Sequence, residues 1–197
     1  MKGTKNLALY VILGIVLILV FIGCGKYNGL VKQDETVKNA WGNVSTEYQK
    51  RNDLVQNLVN TVKGAAAFEK ETLTGLVEAR AKATSVNFTA ENLTDENLAK
   101  FQAAQSQVSG SLSRLLAVVE NYPDLKANQN FLQLQGQLEG IENDIRGSRN
   151  RFNGAVQKYN TEVRSFPTNI FAGMMGFKTR EEFKADAGAE KAPKVSF

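Results

Sequence analysis

The only cysteine of the chain, Cys24, follows an apolar stretch, and two kinds of chemistry suit that position. The segment Phe21-Ile22-Gly23 places a small residue directly before the thiol, as in a lipoprotein signal that is cleaved ahead of an acylated cysteine. The run 7–23 carries no charge and is longer than the usual core of a signal peptide. As a helix it would be about 25 Å long, which is the short end of a membrane span. Cys24 is therefore either lipidated or a small residue at the edge of an uncleaved transmembrane helix.

Both alternatives tether the chain to a membrane and make membrane lipid a partner. Lys2 and Lys5 precede the apolar run, and basic residues beside a membrane helix stay in the cytoplasm. We therefore predict that residues 1–25 are an anchor in a bacterial membrane, crossed once, with a cytoplasmic N-terminus. The rest of the chain would lie in the periplasm, or would be held there by lipid on Cys24 in the alternative.

Little else in the sequence could carry catalysis. The chain has no histidine, which removes the commonest general base, metal ligand and pH switch. It has neither metal-ligand spacing nor a glycine-rich phosphate loop, so we predict no catalytic residue, no metal and no cofactor. Of 24 basic residues two belong to the anchor, and the 22 that remain nearly balance 20 acidic residues. This balance argues against nucleic acid as a partner.

One polar cluster is a candidate interaction site, and it contains Lys50, Arg51, Asp53, Lys63, Glu69 and Glu71. Arg51 and Asp34 interrupt an apolar seam, and a charge that is buried there needs a partner. Arg51 would belong either to a ligand-binding network or to a polar contact that fixes helix pairing, which we favour. On the same seam Trp41 and Tyr48 are predicted to be buried bundle residues and not a ligand cage. The charged residues between 139 and 151 are predicted to be solvated.

These residues must be positioned by helices, because apolar residues recur at spacings of three and four. The first seam predicts a helix over 27–63, continuous with the anchor, that is more than 50 Å long. It contains Leu30, Val37, Trp41, Val44, Tyr48, Val55, Leu58 and Val62. We predict a turn at Gly64 and a second helix over 65–83.

Two further helices are predicted after a turn at 87–95. The first begins near Thr94, and Tyr122-Pro123 ends it. Its stripe contains Leu98, Phe101, Gln105, Val108, Leu112, Leu115 and Val119. The last helix begins within 124–128, keeps a 3.5-residue repeat typical of a coiled coil, and ends at Phe166-Pro167.

The fold class that buries these stripes is all-α: an elongated antiparallel bundle of about four helices over residues 26–166, with a membrane helix before it. The long first and last helices would resemble a coiled coil. Gly136, Gly140, Gly147 and Gly154 lie off the main seam of the last helix. They indicate either the close approach of a neighbouring helix or a contact between protomers.

The tail, residues 167–197, opens with an apolar segment that contains Ile170, Phe171, Met174, Met175 and Phe177. This segment is predicted to form a short amphipathic turn or helix. It would either fold back onto the end of the bundle or form an adhesive patch for membrane or a second protomer. Residues 187–197 are predicted to be extended and mobile.

The stretch 27–83 closely resembles the LemA family. The most distinctive block is YQKRNDLV, residues 48–55, followed by Asn57-Leu58-Val59 and by TVKG at 61–64. Gln56 stands where that family usually has proline, and Ala66 and Phe68 replace its usual tyrosine and histidine. The resemblance implies a membrane anchor, a helical bundle outside the cytoplasm and no established reaction. A magnetosome membrane protein of the family points toward membrane organisation.

The predicted function is that of a non-enzymatic, self-associating scaffold of the cell envelope. The alternative is a sensory module that binds a ligand or partner in a pocket beside residues 48–53. Gly14 and Gly23 give the membrane helix few points of close approach, so the homo-oligomer contact is predicted within 27–48. Lys38 and Asn39 would lie on its outer face.

Overall fold

The computed structural model of the chain describes residues 2–64 and 69–184. Most of these residues are helical, and none of them lies in a β-strand. This confirms the all-α fold class. The helices are α1 (Lys2–Lys63), α2 (Lys70–Ser85), α3 (Asp95–Val119), α4 (Pro123–Lys126), α5 (Gln129–Arg164) and α6 (Thr168–Met175), with a 3-10 turn at Ala90–Asn92.

Helix α1 joins the apolar N-terminal segment to the bundle without interruption. Its 62 residues make a rod of about 93 Å at 1.5 Å per residue. The helix ends at Lys63, and Gly64 lies in a turn, as predicted. Residues 65–68, the predicted start of the second helix, lie outside the described residues, and α2 begins at Lys70.

The pairing of α1 with α5 is antiparallel over most of the bundle. Lys26 Nζ lies 3.2 Å from Glu162 Oε1, and Arg51 Nη1 lies 3.1 Å from Glu142 Oε1. A rise in residue number along α1 is thus matched by a fall along α5. Two long helices in this arrangement bury their seams along their whole contact.

Helices α2 and α3 complete the bundle. Arg80 Nε of α2 donates to the carbonyl oxygen of Asn52 at 2.7 Å, so α2 returns along α1 after the turn at Gly64. Helix α3 then runs parallel to α1, with the rings of Phe101 and Tyr48 5.0 Å apart. The result is an up-down-up-down bundle with short connections.

The core consists of two clusters along the rod. The cluster remote from the apolar segment joins α1 residues 54–62 to α2, α3, α4 and the start of α5. The other joins α1 residues 30–48 to the start of α3, the end of α5, α6 and Phe183. All eight apolar residues predicted for the first seam are buried. Each large aliphatic side chain buried in this way contributes about 1.5–3 kcal/mol.

The predicted helix boundaries are close to those of the structure. Thr94 Oγ1 accepts a hydrogen bond from the backbone N–H of Asn97 at 3.2 Å, which caps α3. Asn128 Oδ1 caps α5 in the same way, at 2.9 Å from the nitrogen of Asn130. Helix α5 ends at Arg164, just before a cis peptide bond between Phe166 and Pro167.

The glycines of α5 do not bring a neighbouring helix close, so that interpretation is wrong. A Cβ atom built on Gly136, Gly140 or Gly154 would meet no described atom within 4 Å. At Gly147 the nearest atom is Nη1 of Arg151, on the same helix, at 3.3 Å. The alternative, a contact between protomers, stays a prediction.

Candidate functional site

Trp41 lies inside an aromatic cluster. Its side chain is 2% exposed, and its ring centroid lies 5.1 Å from that of Phe101 and 5.7 Å from that of Phe152. Phe183 stacks on the indole at 6.1 Å, and the indole N–H donates to the carbonyl oxygen of Phe88 at 2.9 Å. The indole is thus enclosed and its one donor is satisfied, which leaves no open aromatic cage for a ligand.

Tyr48 continues this cluster toward the centre of the rod. It is buried, with its ring edge-on to Phe101. The guanidinium carbon of Arg51 lies 5.0 Å from the centre of the Tyr48 ring. A cation over a buried aromatic face is attracted by the ring quadrupole. Tyr48 therefore connects the aromatic cluster to the polar centre of the bundle.

Arg51 is the most deeply buried charge among the described residues, with 1% of its surface exposed. Its Nη1 donates to Ser109 Oγ at 2.8 Å and to Glu142 Oε1 at 3.1 Å. Its Nη2 donates to the carbonyl oxygen and to Oε1 of Gln105, at 3.1 Å and 2.5 Å. One side chain of α1 thus contacts both α3 and α5, and the role in helix pairing that the sequence favours stays a prediction.

Two polar cavities flank this network. One, of about 380 Å³, lies between α3 and α5 and is lined by Arg51, Gln105, Glu142, Arg146 and Arg149 among others. The second, of about 190 Å³, lies between α1, α2 and α3. It is lined by Tyr48, Gln49, Asn52, Asp53, Arg80 and Gln105 among others. The bundle therefore has two grooves, open to solvent, beside residues 48–53.

Two buried atoms near these cavities have no hydrogen-bond partner among the described residues. They are Nε of Arg51 and Oδ1 of Asn52. A buried polar atom without a partner costs about 1–3 kcal/mol. Both side chains belong to the walls of the cavities.

The other members of the predicted polar cluster do not join Arg51. Asp53 is exposed and lines the smaller cavity. Lys50 pairs with Glu47 at 2.9 Å, and Glu71 lies 3.7 Å from Arg114 on the surface. These residues therefore do not gather around Arg51, since neighbouring positions within one turn of a helix point in different directions and Glu71 lies on another helix, α2.

Asp34, the second charge on the first seam, is paired near the other end of the bundle. Its Oδ1 accepts a hydrogen bond from Arg180 Nη2 at 2.7 Å, and its Oδ2 lies 3.2 Å from Lys38 Nζ. Arg180 also lies over the ring of Tyr159 at 5.8 Å. Burial, with a smaller contribution from the Asp34 carboxylate, raises the pKa of Tyr159 above its usual value. Lys38 is thus part of an ion-pair cluster and not of a free outer face.

The apolar start of α1 has no protein covering. Between residues 10 and 22 every large apolar side chain for which exposure is described lies at the surface, on all sides of the helix. The helix is long and apolar enough to cross a membrane. Cys24, directly after the apolar run 7–23, is exposed. The part of the chain that the structure describes therefore has one helix compatible with a membrane anchor.

The apolar segment of the tail forms α6, and its residues divide between two environments. Phe171 and Phe177 are half-buried, and the rings of Phe177 and Tyr27 are 5.8 Å apart. In contrast Ile170 and Met174 are 53% and 82% exposed. The predicted short helix thus exists, and one side of it packs on the bundle, but its exposed side is apolar and not polar.

Within residues 2–64 and 69–184 no three histidine, cysteine, aspartate or glutamate side chains are grouped so as to hold a metal ion. The carboxylates near Arg51 serve as ion-pair partners. The candidate site is thus an ion-paired polar network beside two cavities. Its contacts suit either the binding of a ligand or the pairing of helices.

Comparison with known proteins decides the family. The model of the LemA family matches residues 40–197, most of the chain. The chain belongs to the LemA family. Protein LemA of Metamycoplasma hominis is 24% identical to it over 128 residues, which is 65% of this chain and 55% of that relative. The matched region thus spans about half the length of this relative. The LemA family is not known as a family of enzymes.

The distinctive LemA block, residues 48–55, forms the α1 wall of both cavities. Directly after it, Gln56 takes the place of the usual proline, and α1 continues as regular helix. A proline at that point would remove a backbone donor from the helix interior. The Gln56 amide donates to Asn60 Oδ1 at 3.1 Å. Ala66 and Phe68, the other departures from the LemA pattern, lie outside the described residues.

Several residues of this LemA-family site could not be assigned from the sequence. Glu142 was predicted to be solvated, and 36% of its side chain is exposed, but the sequence did not indicate that it is the ion-pair partner of Arg51. Phe183 and Arg180 gave no periodic signal, because they lie in an extended segment. Among the residues that contact Arg51, Gln105 alone was indicated by the sequence, since it is a polar residue on the apolar stripe of α3.

Proposed function

We propose that this LemA-family chain is a non-enzymatic membrane-anchored scaffold that self-associates and organises partner proteins or the membrane. The observation that carries the proposal is the continuity of α1. One helix contains an apolar segment exposed on every side and then the longest element of the bundle. Such a helix in a bilayer holds the bundle at a fixed height above the surface.

The orientation proposed is a cytoplasmic N-terminus with the bundle in the periplasm. Its support is the position of Lys2 and Lys5 before the apolar segment. Lipidation of Cys24 remains the alternative tether, and the exposure of this residue is compatible with it. Mass spectrometry of the purified chain separates them: retention of the apolar helix is expected, and a diacylglyceryl peptide that begins at Cys24 would contradict it.

Self-association is proposed through the part of α1 nearest the membrane. Confinement to one membrane plane raises the effective concentration of protomers, so weak lateral contacts suffice. Gly25 and Gly29, four residues apart, are exposed, and no described atom lies within 4 Å of a Cβ built on either. Small residues at this spacing let helix backbones approach closely. Gly23 is covered by Phe171, so it does not serve this contact.

The test of self-association compares two exposed asparagines of α1. Asn39 lies in the proposed contact, and Asn57 lies about 27 Å farther along the helix; both are exposed. Asn39→Lys is expected to reduce the oligomer measured by light scattering in detergent, and Asn57→Lys is not. Circular dichroism checks that helix content is kept. A strictly monomeric wild-type chain, or an unchanged oligomer after deletion of residues 1–26, would contradict the proposed assembly.

A second candidate function, a ligand-binding module of the envelope, is favoured by the larger cavity beside Arg51. Arg146 and Arg149 line this cavity together with a single acidic residue, Glu142. An excess of guanidinium groups suits an anionic group such as a carboxylate or phosphate.

Calorimetric titration of the full chain with inorganic phosphate and with citrate tests this second candidate. Arg146→Gln is expected to abolish binding, and Arg114→Gln, an exposed arginine of α3 away from the cavity, is expected to keep it. Absence of binding by the wild type would remove this candidate.

A further inference from the structure

We propose that α6 is a second membrane contact, which lies in the headgroup region beside the end of the anchor. Its exposed apolar face, Ile170 and Met174, would enter the lipid. This inference rests on the proposed membrane anchor. It adds a lipid-binding surface contributed by the C-terminal part of the chain, about 145 residues away from the anchor along the sequence.

The first argument is the height of α6 along α1. A Cβ atom on Gly23 would lie 3.2 Å from Cε1 of Phe171, so the side of α6 touches α1 where the uncharged run 7–23 ends. On one side of this point the apolar side chains of α1 are exposed; on the other, Leu30 is completely buried. The start of protein packing and the end of the uncharged run therefore coincide at α6.

The second argument is the division of α6 into two faces. Thr168 and Ala172, four residues apart, are completely or almost completely buried against the bundle. Ile170 and Met174 are also four residues apart, and more than half of each side chain is exposed. Residues at this spacing share one face of a helix. The face turned away from the bundle is thus apolar, whereas a helix face in contact with water is normally polar.

The third argument is the clustering of exposed apolar residues. Beyond the apolar segment of α1, the large exposed apolar residues among those described are Tyr27, Val77, Leu132, Phe166, Ile170, Met174 and Met175. Four of these seven lie within 166–175, and Tyr27 lies beside them through its contact with Phe177. Exposed apolar residues concentrated in one segment indicate an interaction surface, whereas single exposed residues do not.

Exposed basic residues border α6 on both sides, and Glu162, which accepts a hydrogen bond from Thr168, is paired with Lys26. The helix itself carries no charge. Arg164 precedes it and Lys178 follows it, and both are exposed. Basic residues that border an apolar helix face suit phosphate headgroups while the apolar side chains enter the acyl region by about 5–10 Å. Lipid is the occupant that this arrangement favours, because α6 touches α1 at Gly23, where the uncharged run ends and a bilayer surface would lie.

The position of α6 is fixed by the segment that follows it. Gly176 adopts φ +80°, a left-handed conformation that suits glycine, and the N–H of Phe177 then bonds to the carbonyl oxygen of Ala172 at 3.0 Å. Farther on, Asn160 of α5 exchanges two hydrogen bonds, both 2.8 Å, with the backbone of Arg180. Helix α6 is thus held rigidly, and lipid contact through it would fix the rotation of the rod about its axis.

The experiment places an added tryptophan at three exposed positions of the full chain in phosphatidylcholine–phosphatidylglycerol vesicles. Leu17→Trp reports the anchor, Met174→Trp reports α6, and Leu132→Trp is the matched control in the first turn of α5, at the remote end of the bundle. The native Trp41 is buried about 27 Å from the level of Gly23 and supplies a constant background. Lipids brominated on their acyl chains quench only tryptophan that reaches them.

We expect brominated lipid to remove most of the added emission of Leu17→Trp and Met174→Trp, and none of that of Leu132→Trp. Quenching at Leu17→Trp without quenching at Met174→Trp would overturn the inference while the anchor stands. Quenching at neither position would overturn the proposed anchor itself. Emission of Met174→Trp that shifts to shorter wavelength with protein density, without quenching, would assign the surface to a second copy and also overturn the inference.

Discussion

Replacing Arg51 by methionine tests whether the buried network stabilises the bundle. Methionine keeps much of the stem volume of arginine and removes the guanidinium. Ser109 Oγ keeps a bond to the Gln105 carbonyl oxygen at 3.3 Å, and Glu142, with 36% of its side chain exposed, can be hydrated. The loss therefore falls on the amide oxygen Oε1 of Gln105, which loses its charged donor in a buried site, whereas the Gln105 carbonyl oxygen keeps the bond from Ser109.

The expected cost follows from these groups. An unsatisfied buried polar group costs about 1–3 kcal/mol. Arg51→Met leaves one such group, Gln105 Oε1, and removes another, the unpartnered Nε of Arg51, so it should lower the free energy of unfolding by no more than about 2 kcal/mol. Glu142→Gln keeps the shape and removes the ion pair. Because this carboxylate is partly exposed, the cost should be about 1 kcal/mol. Lys50→Met, an exposed position of the same helix paired only with its neighbour Glu47, should change stability by less than about 0.5 kcal/mol.

The assay is urea unfolding of the full chain in a nonionic detergent. Trp41 is the only tryptophan, and its emission reports the opening of the core beside the network. The order expected for the loss of stability is Arg51→Met, then Glu142→Gln, then Lys50→Met. An Arg51→Met variant as stable as the wild type would refute the reasoning. It would show that the network gives the fold no net stability over an apolar side chain of similar volume.

Three further predictions concern the aromatic half of the core. Trp41→Ala should cost about 3–5 kcal/mol through cavity formation, and unchanged thermal unfolding by circular dichroism would show that the indole is not part of the core. Phe183→Ala should uncover the indole and shift its emission to longer wavelength, whereas an unshifted spectrum would place the extended segment elsewhere. Tyr159 has a raised pKa in the fold. Its contribution to the free energy of unfolding is therefore complete below about pH 10 and is lost as the pH rises through the pKa of the folded state. Tyr159→Phe should therefore lose less stability than the wild type between neutral and strongly alkaline pH; equal losses would contradict this.

The sequence by itself determined the helices and the seam that they bury. Apolar residues three and four apart can meet only on one face of a helix, so Leu30, Val37 and the rest of the first seam were assignable without tertiary information. The same holds for the caps at Thr94 and for the turn at Gly64, because each depends on a few neighbouring residues. The uncharged run 7–23 likewise indicates a membrane span through length and composition alone.

Only the tertiary structure decided which polar residues meet. Arg51 pairs with Glu142, 91 positions away, and on the sequence alone this glutamate is no different from the solvated acids beside it. Phe183 reaches Trp41 from an extended segment that has no periodicity, held by the amide of Asn153. Helical periodicity specifies a face but not the neighbour against which it packs. That choice depends on the register between distant helices, which is set by the packing of the whole core.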